Sequence, residues 1–409
     1  MDLRLKKYAK LAIRQGVNIQ KGQPLVINAP VETVELVRYC TEEAYLAGAS
    51  KVDVIWSDDK LSKLHYENVE TEILKKVSQW RVDQHKDSID NKSAFLKIVS
   101  DIPGNLKDID PIKLREVNKE MSKAMEPYRY YTMANVGQWC IIAVPNKEWA
   151  EIIFPDLKGD DAVKALWEAI YKSVRISNDN DPVKEWDEHN EELRKHNELL
   201  NNYNFKSLHF KNGLGTDLIV ELANNHIWAG GCDLTQSGIL FNPNMPTEET
   251  FTMPKRTGVN GKVVATKPLN YQGKLIENFW LRFENGKVVE YHADKEEEAL
   301  KNLLEVDENS SYLGEVALIS HESPISNMNI LFFNTLFDEN ASCHLALGAA
   351  YPNNMKDGEK MNKEELLAHD CNVSMVHSDF MFGSQDMSIM GQTHEGIEVE
   401  IFKNGNFCI

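Results

Sequence analysis

The sequence predicts an α/β N-terminal domain with a mostly parallel sheet, joined to an α+β C-terminal domain. Two observations carry this. In the first half, apolar runs of strand length alternate with longer stretches of helical periodicity, the rhythm of strands linked by crossover helices. After about residue 205 the rhythm changes to short β segments separated by Gly, Asn and Pro. At 409 residues the chain has room for two or three domains, and the change of rhythm sets the expected domains at 1–203 and 204–409. No internal repeat or low-complexity tract is present.

Taken in order, Leu3, Leu5, Tyr8, Leu11 and Ala12 recur at helical spacing and predict a helix over 3–15. The run Pro24–Asn28 reads as a strand, followed by a helix over 32–47 that stops at Gly48. Lys51–Trp56 alternates like a strand, 60–85 is a long charged helical stretch, and Ala94–Ser100 is again a strand. A helix over 112–126 leads to Trp139–Pro145, whose continuous apolar run suits a strand buried on both faces. Residues 160–203 form a helical connector. Asp160 and Asp161 suit the positive end of a helix dipole, and Asp181-Pro182 supplies an N-cap followed by a first-turn proline. Beyond it, Ser207–Phe210 and Asp217–Leu222 flank a glycine-bearing turn and predict a hairpin. Short strands continue to about 291, with helices expected near 295–304, 340–350 and 362–368.

Acidic residues number 63 against 45 basic, for a formal net charge of -18. Such a field repels nucleic acid and anionic membrane surfaces and favours cations, although acidity of this degree also serves solubility alone. The amphipathic N-terminus lacks the unbroken apolar stretch of a secretory leader, and no uncharged apolar run of about 18 residues occurs, so neither export nor a membrane span is expected. The six cysteines are scattered and form no CxxC pair, the usage of reduced thiols in a cytoplasmic protein.

Candidate metal ligands gather towards the C-terminus. In His377-Ser-Asp379 the spacing of two places imidazole and carboxylate on one face of a strand. In Asp338–Tyr351, Glu339 and His344 flank small residues that permit close approach. Tyr351 lies two helical turns after His344, on the same face of the expected helix, although the same segment also reads as plain helix packing with His344 as a cap. Glu249 closes the acidic pair of Pro246-Thr-Glu-Glu249, ahead of a short β stretch, and Glu315 lies beside the apolar run Val316–Ile319; either carboxylate alone also reads as a solvated turn. Gly213-Leu-Gly215 lacks the spacing of a dinucleotide loop, and there is no phosphate loop, no G-x-S-x-G elbow and no H-E-x-x-H helix. His65, His85, His189 and His196 fall on charged helices and are expected to be solvated.

The stretches GTDL (215–218), WAGG (228–231), NMPTEETFT (244–252), LGEVALI (313–319), DENASCHLALGAAY (338–351) and VHSDFM (376–381) together resemble the aminopeptidase T / aminopeptidase S family of thermophilic, bestatin-insensitive metalloaminopeptidases. They occur in the family's order and cover most of the C-terminal half, while the N-terminal half carries less specific motifs. The resemblance implies a C-terminal catalytic domain holding two divalent ions, with zinc, cobalt or magnesium supporting activity, and a homodimer. Carried onto these positions it implies Glu249, Glu315, His344, His377 and Asp379 as metal ligands, Glu339 as an additional ligand and Tyr351 as an active-site tyrosine. Cys343, directly before His344, departs from the pattern and puts a thiol in reach of the metal or of oxidation.

Four carboxylates and two imidazoles suit a pair of borderline or hard divalent cations, which would activate a water against a peptide carbonyl and receive the free amine of a peptide substrate. Glu315 is the expected bridging or general-base carboxylate, and Tyr351 the expected donor to the developing oxyanion. Three other readings compete. One is hydrolysis of another small amide or ester at the same ions. Another is a metal-binding scaffold without turnover, and the last is a nucleotide-binding α/β protein, against which the missing phosphate loop counts.

Overall fold

The computed structural model describes residues 3–271 and 274–409 of the chain. It divides into two compact units, one of Met1–Glu188 with Cys232–Pro246, the other of His189–Gly231 with Thr247–Ile409. The division falls within the helix Pro182–Tyr203, whereas the sequence reading set its boundary at that helix's end.

The first unit carries a four-stranded, wholly parallel sheet in the order Lys51–Ser57, Pro24–Pro30, Ala94–Val99, Trp139–Ala143. Leu25, Ile27, Leu96, Ile142 and Ala143 are fully buried, as a sheet covered on both faces requires. Helices Leu3–Leu11, Val34–Ala47, Pro111–Ala124 and Asp160–Ser173 stand close to their expected places.

The expected long helix over 60–85 is instead three, Asp59–Asn68, Thr71–Leu74 and Gln79–Asp90. None of them buries a residue, so no continuous apolar stripe holds the stretch together as one helix. Helices Glu126–Met133 and Lys147–Ile153 were not expected; the second is capped by the Asn146 side chain, which accepts from Trp149 N.

The second unit is β-rich. Its nine-stranded antiparallel sheet includes the predicted hairpin, Phe205–Lys211 paired with Asp217–Leu222. A four-stranded antiparallel sheet runs in the order His377–Met381, His344–Gly348, Leu313–Leu318, Thr250–Thr252. Leu208, Phe210, Phe279 and Phe283 from the larger sheet share one core with Val316, Leu318, Leu345, Leu347 and Phe380 from the smaller.

The helix expected over 340–350 is absent: His344–Gly348 is a central strand. Its Ala and Leu favour helix locally, but pairing on both edges and burial of Leu345 and Leu347 override that preference. The two-turn argument placing Tyr351 over His344 falls with it. Of the four histidines expected in solvent only His65 is exposed; His85 is half-buried, edge-on to Tyr128 with ring centroids 5.1 Å apart. His189 is buried, with Nε2 2.8 Å from the Thr247 carbonyl. His196 stacks on Phe407 with ring centroids 4.1 Å apart. No helix of the described residues is long and apolar enough to cross a membrane.

Candidate metal centre

Strand register builds the candidate site. Glu315 lies opposite Ala346, and Ala346 opposite Asp379, so the three form one row across the smaller sheet. His344 and His377 each sit two residues before the row's member on their own strands, and therefore point to the same face. The neighbouring row, Val316, Leu345 and Phe380, points the other way into the core. One face of the sheet is thus hydrocarbon and the other a field of donors.

Glu249 joins from just before the Thr250–Thr252 strand. Its backbone is crowded by the WAGG segment: a Cβ on Gly230, whose φ is +144°, would stand 2.1 Å from the Glu249 carbonyl oxygen. Only glycine lets the chain pass there. The neighbouring Glu248 is not part of the cluster; its carboxylate lies 3.8 Å from His189 and its backbone N–H donates to the Asn340 side chain at 2.7 Å.

The distances converge on Glu315. Its Oε1 lies 3.2 Å from His344 Nε2, and its Oε2 lies 3.5 Å from His377 Nε2. His344 Nε2 is also 3.4 Å from Glu249 Oε2, and His377 Nε2 is 3.3 Å from Asp379 Oδ1. Two donor groups result, Glu249–Glu315–His344 and Glu315–His377–Asp379, each with its ligand atoms within 4.8 Å of one another. Glu315 belongs to both. His377 Nδ1 donates to the Ala349 carbonyl at 2.7 Å, which fixes the ring and turns Nε2 towards the carboxylates.

No Lys or Arg among the described residues pairs with these carboxylates, and the histidines take the cationic part. Burial opposes protonation of His344, but Glu315, Glu249 and Asp379 outweigh it and lift the imidazole to about 10. His377 is likewise lifted to about 10 against its burial, chiefly by Asp379 and Glu315. Burial pushes the Glu249 carboxyl up to about 8. For Asp379, burial is outweighed by His377 and His344, and its carboxyl is held below the usual range. A buried cluster of this composition needs positive charge to offset its carboxylates. Among the described residues, two buried atoms, Asp379 Oδ1 and His344 Nδ1, lack a hydrogen bond of good geometry, Asp379 Oδ1 having only the 3.3 Å ion-pair contact with His377 Nε2. Oxygen and nitrogen donors so arranged fit a pair of divalent cations.

Glu339 stands beside the cluster rather than in either donor group. It is raised well above the usual carboxylate range by burial first and then by Glu249 and Asp379. Tyr351 reaches the site from an extended residue preceding the Pro352–Asn354 turn, its ring centroid 4.8 Å from that of His377. Cys343 faces away. Its thiol donates to the Ile319 carbonyl at 3.4 Å, lies in the apolar core, and is pushed up to about 12 by burial. It touches neither candidate ion position, by the same alternation that turns its neighbour His344 inward to the site.

Sequence reasoning missed Ala346, the small residue at the centre of the row, and the segment Leu331–Thr335 beside Glu339. The first was legible in principle, since a strand with donors on either side needs a short side chain between them.

The pattern of the thermophilic metalloprotease (M29) family matches residues 1–407. Aminopeptidase 2 of Geobacillus stearothermophilus is 45% identical over 99% of this chain and 97% of its own length. Aminopeptidase AmpS of Bacillus subtilis is 44% identical over 99% of this chain and 98% of its own. The solved structure of wild-type AmpT from Thermus thermophilus superposes with a TM-score of 0.93 at 38% identity, covering 99% of both chains.

Proposed function

The chain belongs to the thermophilic metalloprotease (M29) family, and on that premise we propose that it is a metal-dependent aminopeptidase whose catalytic centre holds two divalent ions between Glu249, Glu315, His344, His377 and Asp379. The observation that carries the two-ion reading is Glu315, whose two oxygens face different histidines and which belongs to both donor groups. Zinc, cobalt and magnesium are the cations this oxygen and nitrogen set is expected to accept. Such a pair, when bound, acidifies water and polarises the scissile carbonyl.

The chain's own residues do the rest. Glu315, whose two oxygens face the two histidines, would either link the two positions or accept a proton from the attacking water, one role excluding the other. Burial, reinforced by Glu315 and Asp379, pushes the Tyr351 phenol upward, so it keeps its proton and can donate to a developing oxyanion. The substrate is a peptide with a free N-terminus, a second copy of the chain is the expected partner, and the cytoplasm the expected compartment.

Elemental analysis of the purified protein, paired with an aminoacyl-amide assay under chelation and metal add-back, tests this reading. Two equivalents of metal and recovery on add-back are expected. One equivalent with full activity would remove the two-ion reading, and equal turnover of acetylated and free peptides would remove the aminopeptidase reading in favour of a broader amidase. Light scattering of the eluting protein reads the dimer directly.

A further inference from the structure

A cavity of about 350 Å³, lined wholly by residues of the first unit, lies outside the carboxyl ends of the parallel strands. Each of the four strands contributes a residue that follows it: Glu32 after Pro24–Pro30, Asp59 after Lys51–Ser57, Ser100 after Ala94–Val99 and Asn146 after Trp139–Ala143. The strand order changes direction at this point. From Pro24–Pro30 the chain passes to its neighbour on one side, Lys51–Ser57, and then crosses to the other side for Ala94–Val99 and Trp139–Ala143. Right-handed crossovers therefore send the connections leaving Pro24–Pro30 and Ala94–Val99 to opposite faces, opening the crevice in which open α/β sheets take their ligands. We propose that this cavity binds a small zwitterion, a free α-amino acid with an apolar side chain. The donor cluster belongs to the second unit and shares no residue with it. The proposal holds whether or not the chain is a peptidase; on the aminopeptidase reading, its ligand is the class of molecule the reaction releases.

The walls select the ligand. Three of the five charged side chains at the cavity are engaged by the protein itself: Lys60 pairs with Glu148 at 2.7 Å, and Asp59 Oδ2 accepts from Ile102 N at 3.1 Å. The polar side chains are engaged as well. Asn146 Nδ2 donates to the Ser100 carbonyl at 2.6 Å, and its Oδ1 accepts from Trp149 N at 2.7 Å. Glu32 and Lys147 remain, both exposed, and among the described residues neither side chain has an ion-pair or hydrogen-bond partner. One carboxylate and one ammonium are thus left to be matched, and an α-amino acid carries the complementary pair: Glu32 takes its ammonium and Lys147 its carboxylate. Pro30, Ile102, Pro145 and Val163 supply apolar wall for its side chain. The volume sits near the bottom of the roughly 300–1,000 Å³ range of small-molecule sites, which suits a ligand of this size. A nucleotide fits less well, because carboxylates outnumber ammonium groups at the cavity and the turn after Pro24–Pro30 has no glycine to let a phosphate approach the backbone.

Calorimetric titration of the full chain with leucine, after chelation has removed any metal-dependent binding at the donor cluster, tests the proposal. One equivalent of leucine is expected to bind with a Kd of about 1 mM or tighter. N-acetyl-leucine lacks the ammonium and leucinamide the carboxylate, and each is expected to bind at least tenfold more weakly. Glu32→Gln and Lys147→Met, at exposed positions that do not threaten folding, should each cost tenfold or more in leucine affinity while leaving amide turnover by the metal-loaded protein at the parent's level. His377→Ala, in the other unit, should bind leucine as the parent does. Absence of leucine binding at millimolar concentrations, unchanged affinity in both Glu32→Gln and Lys147→Met, loss of binding in His377→Ala, or tighter binding of inorganic phosphate or AMP than of leucine would overturn the site. No turnover of any amide by the metal-loaded parent would instead strike the aminopeptidase reading and leave this site standing, so the two failures are distinguishable.

Discussion

Glu315 and Asp379 lie on strands that are not neighbours, yet they share a single row of the sheet, separated only by the methyl group of Ala346. The row places both carboxylates on one face at a spacing fixed by backbone hydrogen bonds rather than by flexible loops.

Ala346→Leu should therefore damage the centre without touching a ligand. The larger side chain projects between the two carboxylates, on the face that carries the donors. Overpacking at a fully buried site costs about 1–3 kcal/mol, so the fold should survive while bound metal falls. Circular dichroism and elemental analysis on the same sample check it; full metal content in a folded variant would show that the space above Ala346 is not used.

His377→Ala and Glu249→Ala each remove one member of a different donor group. Both should lose more than a hundredfold in activity and retain less metal than the parent. Near-wild-type turnover and metal in either variant would break the ligand assignment. Glu315→Gln should be the more severe for metal, because one substitution weakens both groups at once.

Metal binding should also show as stability. A cation that binds the folded chain alone, at a concentration about a hundred times its dissociation constant, adds about 2.7 kcal/mol. The chelated protein should melt several degrees below the zinc- or cobalt-loaded one. In Glu249→Ala that difference should shrink, and an identical metal-dependent shift in the variant would argue that the ions bind elsewhere.

Gly348→Ala tests the register of the central strand. Gly348 has a φ of +104°, and a Cβ there would meet the Val376 carbonyl oxygen at 2.1 Å. Strain and clash together should cost about 2–3 kcal/mol or more, read as a fall in melting temperature of roughly 5–10 °C. A melting temperature within 1–2 °C of the parent would mean the strand can shift away from its neighbour.

Acid should loosen the second unit through two histidines outside the site. Burial holds the imidazoles of His196 and His226 below their ordinary value. Well above pH 6.5, from about pH 7.5, both are neutral whether the chain is folded or not, and they add nothing to a pH slope. As pH falls below 6.5 the unfolded chain takes up protons that the folded one refuses, so stability drops until the folded values are passed. His196→Phe should keep the stacking on Phe407 and flatten the fall in melting temperature between about pH 6.5 and 5. An unchanged slope would assign that fall to other groups.

Part of this molecule could be read directly from its residues. The parallel strands of the first unit announce themselves as apolar runs, and the hairpin around Gly213–Gly215 by alternation and turn chemistry. His377 and Asp379 follow from the period of a strand alone. His344 was harder, because Leu-Ala-Leu-Gly-Ala-Ala carries helix propensity and the burial that makes it a strand comes from partners distant in sequence. The convergence of Glu249 with Glu315 depends on pairing between Thr250–Thr252 and Leu313–Leu318, which no local pattern encodes. Nothing in the bare pair Glu248-Glu249 tells which carboxylate turns inward; His189 and Asn340 settle it from elsewhere in the chain.

The orientation of Cys343 has a last consequence. By sending its sulfur into the hydrocarbon side of the sheet, the chain removes the soft donor nearest the proposed ion positions and leaves only imidazole and carboxylate there. A soft-metal preference has no foothold in such a set, and affinities among the divalent first-row ions then follow their common order. On the two-ion proposal, the ion at work would then be decided by the host's metal supply rather than by the protein.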